Sequence, residues 1–70
     1  MSTYMSEERR SILEKAFLTY GVGREFSAPD IGATSGDILQ MRAKGYIVGR
    51  PGLWSVSRHG ERYLKSYVMR

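Results

Sequence analysis

The sequence predicts a small α+β domain: three helices, then a β-hairpin, then a closing fourth helix. Three observations lead there. Apolar side chains recur with helical period early in the chain. Two β-rich stretches, Tyr46-Ile47-Val48 and Leu53-Trp54-Ser55-Val56-Ser57, flank the turn-forming Gly49-Arg50-Pro51-Gly52. Glycines or capping hydroxyl residues stand at the expected ends of each helix. The 70 residues are expected to form one domain over the whole chain, with residues 1–5 as a loose tail.

Each element has its own reason. Ser6 can cap the first helix, and Glu7 and Glu8 sit where the helix dipole favours anions. Ile12, Leu13, Ala16, Phe17 and Tyr20 form one stripe, so this helix is expected from Glu7 to Tyr20. Gly21 suits the left-handed position after a helix, and Val22 is placed to pack back on Phe17. Arg24-Glu25-Phe26 gives a stub of strand. Ser27 opens a short second helix over residues 28–33, with Pro29 in its first turn and Asp30 closing a capping box. Thr34-Ser35-Gly36 is the turn before the third helix, which Ser35 is expected to cap. Ile38 and Met41 face the core, and Gly45 ends that helix. Pro51 favours ordinary over primed turns, so a hairpin loop of about four residues is expected. Ser57 caps the closing helix, whose apolar stripe is Tyr63, Leu64, Tyr67 and Val68. Glu61 and Lys65 make an i,i+4 pair.

Composition excludes several classes. There is no Cys and one His, which leaves neither disulfides nor a credible metal cluster. The single His lacks a partnered nucleophile, no Gly-rich loop follows a strand, and the carboxylates are scattered, so no catalysis and no cofactor are expected. No apolar run approaches the length of a membrane span and no signal region opens the chain, so the expected location is cytoplasmic. The charge distribution is more telling. Residues 1–35 hold four basic against five acidic side chains, whereas residues 36–70 hold seven against two, a balance of −1 against +5. A positive half suggests a face that meets a polyanion.

The specific part of the pattern is Ile38-x-x-Met41-x-x-x-Gly45-Tyr46-Ile47, the hairpin, then Ser57-x-x-Gly60-x-x-x-Leu64. With the element order, it resembles the winged helix-turn-helix superfamily of small bacterial, archaeal and viral regulators, over nearly the whole chain. The resemblance implies a three-helix core, a C-terminal hairpin wing and a closing fourth helix, with the domain as the whole protein. It implies double-stranded DNA as partner, with the third helix entering the major groove and the wing on the backbone or minor groove. The residues so placed are Thr34, Ser35, Asp37 and Gln40, then Arg42 and Lys44, with Arg50 on the wing and Arg58 on the closing helix. Gln40 suits an adenine edge, and Asp37 suits only a cytosine amino group. A small transcriptional regulator or nucleoid-associated chromatin factor is the function implied.

The remaining aromatics have plainer roles. Trp54 beside Val56 is expected in the core rather than stacked on a base. His59 is expected on the surface without a special role. Tyr63 and Tyr67 are expected as core or dimer contacts, a homodimer being the second partner state considered. The alternative function is a winged-helix module that binds another protein and never docks DNA. Asp37 and Leu39 on the third helix favour that alternative; the +5 half favours DNA.

Overall fold

The computed structural model describes the backbone of residues 5–68 and the side chains of residues 5–66. Helix α1 runs Glu7–Tyr20, a 3₁₀ turn covers Ala28–Ile31, and α2 runs Ser35–Ala43. Strands β1 (Ile47–Arg50) and β2 (Leu53–Val56) pair antiparallel. Helix α3 (Arg58–Tyr63) continues into a π-helical turn, Leu64–Val68. This is a small α+β fold whose layout is compatible with that of a winged helix.

Helix α1 begins and ends where its stripe and its cap place it. The Arg9 N–H donates to the Ser6 hydroxyl at 3.2 Å, and Leu13 and Ala16 are fully buried. The chain before it departs from expectation. Met5 is 2% exposed and belongs to the core rather than to a tail. It directly precedes the cap, the position from which an apolar side chain packs back over a helix start. Residues 1–4 lie outside the described residues. Val22 bridges Val56 in parallel, and the Gly23 N–H donates to the Val56 carbonyl at 3.2 Å. Phe26 then exchanges two backbone hydrogen bonds with Trp54, both at 2.8 Å. The expected stub is therefore a short third partner on the far edge of β2.

The second helix is tighter than expected, a four-residue 3₁₀ turn ending at Gly32. Its capping carboxylate is as read: Asp30 accepts the Ser27 N–H at 2.9 Å. Helix α2 is capped by Thr34, not by Ser35. The Asp37 N–H donates to Thr34 Oγ1 at 3.2 Å and the Thr34 N–H donates back to Asp37 Oδ2 at 3.0 Å. Two hydroxyl residues compete here, and the reciprocal bond to an acid three residues on selects the first. Ile38 and Met41 are buried as expected.

The hairpin loop is shorter than expected. Arg50 opposes Leu53, so only Pro51 and Gly52 lie between the strands. Gly52 at φ +90° supplies the left-handed corner that a type II turn needs after proline. That turn matches strand twist poorly. Gly49 beside it sits at φ +134°, and a Cβ there would strike the Leu53 carbonyl oxygen. Trp54 and Val56 face the core at 8% and 1% exposure, as their alternation predicts.

At the other end of the hairpin, Ser57 caps α3 by accepting the Gly60 N–H at 3.0 Å. The same hydroxyl donates to the Gly45 carbonyl at 2.5 Å. Gly60 lies against the Tyr46 backbone so closely that a Cβ would collide with the Tyr46 carbonyl. Leu64 is fully buried, and Lys65 pairs with Glu61 at 3.3 Å. The side chains of Tyr67 and Val68, assigned to the closing stripe, lie outside the described residues.

Candidate nucleic-acid interface

Three elements supply the residues that the sequence marks for DNA: α2, the hairpin tip and the start of α3. Helix α2 has a sharp division of faces. Ile38 and Met41 point inward, while Ser35, Gly36, Leu39, Gln40, Arg42 and Ala43 are all exposed. Thr34 is exposed at the cap, but its hydroxyl is engaged with the Asp37 N–H. Lys44 closes the helix half-buried.

Asp37 is placed differently from the sequence expectation. It does not reach outward toward bases or phosphate. Its Oδ1 accepts the Arg9 Nε–H at 2.9 Å and its Oδ2 accepts the Thr34 N–H, leaving the side chain 16% exposed. The bond from the Thr34 backbone holds its carboxyl below the usual carboxylate range, and the Arg9 guanidinium works in the same direction against partial burial. Both oxygens are thus satisfied within the protein. Asp37 is also the one acid in the sequence of α2. The exposed face of this helix consequently carries no outward carboxylate.

Arg42 is drawn toward the hairpin. Its guanidinium lies 6.0 Å from the centroid of the buried Trp54 ring, within the range of a cation–π contact. Trp54 is opposite Gly49, one residue from Arg50. The C-terminal half of α2 and the hairpin therefore present their arginines from neighbouring elements. Arg50 is exposed beside the Pro51-Gly52 corner. Arg58 is exposed as well but stands beyond the opposite end of β2. At about 3.3 Å per residue, the strand separates the backbones of Arg50 and Arg58 by roughly 13 Å or more.

One aromatic assignment changes. His59 is exposed, yet its ring stacks on Tyr46 at 5.2 Å, and Tyr46 stacks on Tyr63 at 4.4 Å. His59 therefore helps to cover the junction between α2 and β1. Tyr63 packs against the core, the first of the two roles expected for it. Together with Arg62 and Ser66, these three rings line a shallow groove. Trp54 is core and offers no free face to a base.

The Arg9–Asp37 pair was missed in the sequence, since 28 positions separate its members and no local rule joins them. No protein-family model, curated protein or solved structure matches this chain. No helix among the described residues is long and apolar enough to cross a membrane.

Proposed function

We propose that this protein binds double-stranded DNA as a winged helix-turn-helix, as a small transcriptional regulator or chromatin-associated factor of the nucleoid. Helix α2 would enter the major groove, and the hairpin would act as the wing on the backbone or minor groove. The observation that carries this reading is the disposal of Asp37. A carboxylate pointing out of α2 would repel phosphate across the whole docking face. Its engagement by Arg9 and Thr34 instead leaves that face to Ser35, Gln40 and Arg42. The excess of cations in residues 36–70 supports the same partner.

The test is a titration of fluorescent duplex at two or more salt concentrations. If Arg42, Lys44, Arg50 and Arg58 account for most of about 4–6 phosphate contacts, log affinity falls with log salt at a slope of about −4 to −5. A flat salt response, or no binding at low salt, removes the proposal. In this reading a homodimer would set two α2 helices into half-sites one helical turn apart. Sedimentation showing only monomer at tens of micromolar (about 10–50 μM, where the 1 μM scale of moderate affinity is exceeded), with and without DNA, would exclude it.

A protein-binding module is the second reading. The observation in its favour is apolar exposure on α2 and the hairpin: Leu39 is 62% exposed, Val48 50% and Leu53 42%.

A further inference from the structure

Leu39 sits in the middle of the exposed face of α2, the place where a helix docked in a groove makes its closest approach. At about 3.6 residues per turn, Leu39, Ala43, Gly36 and Gln40 follow one another around the helix within about 100° of its surface. The stripe therefore runs from a branched alkyl group, across two small residues, to an amide. Arg42 borders it on the Leu39 side, held over Trp54. Ile38 and Met41 occupy the opposite, buried side. The stripe has no charge of its own; Arg42 borders it on one side, and on the other Asp37 is engaged by Arg9.

We propose that this stripe reads A·T pairs in the major groove, a proposal that rests on the DNA-binding function above. Thymine is the base that offers an apolar group there, its C5-methyl, and an alkyl side chain is its natural contact. Adenine offers the N6 and N7 pair that a glutamine amide meets with two hydrogen bonds. Leu39 and Gln40 are consecutive, with Cα atoms about 3.8 Å apart. Their side chains leave the helix about 100° apart, at the two margins of the stripe, so they meet different base pairs. Gln40 thus takes the adenine of one pair while Leu39 meets the thymine methyl of another. Gly36 and Ala43 add little bulk between them, so the helix backbone can approach the groove floor. Leu39 becomes a specificity-determining residue, and its exposure in the free protein is the cost of keeping that contact available.

Substituting deoxyuridine for thymine removes the methyl group and leaves base pairing unchanged, which makes it the direct probe. The full chain is titrated against three duplexes of equal length: A·T-rich with thymine, the same sequence with deoxyuridine, and G·C-rich. The thymine duplex should bind about fourfold more tightly than the deoxyuridine duplex for each methyl buried, the ratio expected for one buried carbon. Leu39→Ala should bring that ratio to one. Gln40→Ala should keep the ratio and lose the preference for A·T over G·C. Equal binding of thymine and deoxyuridine duplexes, with a normal salt slope, overturns the methyl reading and leaves DNA binding intact. Failure to bind any of the three at low salt overturns DNA binding itself. If Leu39→Ala instead abolishes self-association and leaves the ratio alone, the stripe is a protein contact. Leu39 is solvent-exposed, so an unchanged melting temperature is expected and confirms that the variant is folded.

Discussion

The two ends of the hairpin are built on opposite terms. At its base, Tyr46 is held from several directions. The Met41 carbonyl accepts its N–H at 3.0 Å, its own carbonyl accepts the Ser57 N–H at 3.0 Å, and its ring stacks on Tyr63. Gly60 closes against its backbone, and the adjacent Ile47 and Val56 are buried. At the tip, Val48, Arg50, Pro51 and Leu53 are exposed, and the chain turns through two residues with nothing packed over them that buries them. The base makes the fold and the tip is available for a partner. Stability and binding should therefore separate along roughly 13 Å of strand.

The base should fail first and furthest. Met41→Ala deletes a fully buried side chain beneath it and should cost about 2–5 kcal/mol, enough to unfold a domain of this size; Ile38→Ala should fall in the same range. Thermal melts that match the parent would mean that α2 is rotated from the orientation described. Next comes Gly60→Ala, which drives a methyl group into the Tyr46 carbonyl. About 3 kcal/mol is expected, although alanine is the better helix former. A Gly60→Ala protein as stable as the parent would show that the base yields easily and would blur the contrast with the tip.

Between the two ends lies the Arg9–Asp37 pair. A carboxylate whose pKa is lowered on folding adds stability above its unfolded value, and that stability is lost as pH falls through the lowered value. Asp37 should therefore support the fold fully at neutral pH and lose its contribution below about pH 4. Asp37→Asn should remove that part of the acid sensitivity at a cost of about 1 kcal/mol or less at pH 7, since the pair is partly exposed. Melting curves from pH 7 to pH 3 that run parallel for the two proteins would count against the assignment.

At the tip the smallest stability effect should accompany a clear binding effect. Arg50→Ala should leave stability within about 0.5 kcal/mol of the parent. It should weaken binding to all duplexes alike and reduce the salt slope by about one. Gln40→Ala should leave the slope unchanged and cost about 1–3 kcal/mol only on a preferred site. If Arg50→Ala alters binding to neither a preferred nor a scrambled duplex, the tip is no DNA contact and the protein-binding reading is the better one.

Local chemistry was legible in the sequence, and contacts across the chain were not. The period of Leu13, Ala16 and Tyr20 with Ser6 at its head gave α1 at both ends. The alternation of Trp54 and Val56 gave the buried face of β2, and Ser57 with Glu61 and Lys65 gave the start and one flank of α3. Two misreadings were local and had a signal. Thr34 and Asp37 stand at capping-box spacing, and Pro51-Gly52 fits a type II corner by itself. The first was masked by the adjacent Ser35, and the second by a general preference for primed turns in short hairpins. Arg9 with Asp37, His59 with Tyr46, and Val22 with Val56 are different. Each joins residues that only the tertiary fold brings together, and no spacing rule encodes them. The outward candidates Gln40, Arg42 and Arg50 were read correctly as exposed; the inward turn of Asp37 was not.

The segment over residues 22–26 has a consequence for the hairpin that concerns association rather than recognition. Two strands alone would offer open edges on both sides, each a template for pairing with another copy. Phe26 and Val22 occupy the outer edge of β2 at Trp54 and Val56. The remaining edge, on β1, is four residues long, is bent by Gly49 at φ +134° and ends in Arg50 followed by proline. Short length, a twisted backbone, a charge and a missing N–H each discourage a strand from adding there. The same residues that shape the exposed tip thus guard a small sheet against growing into an aggregate.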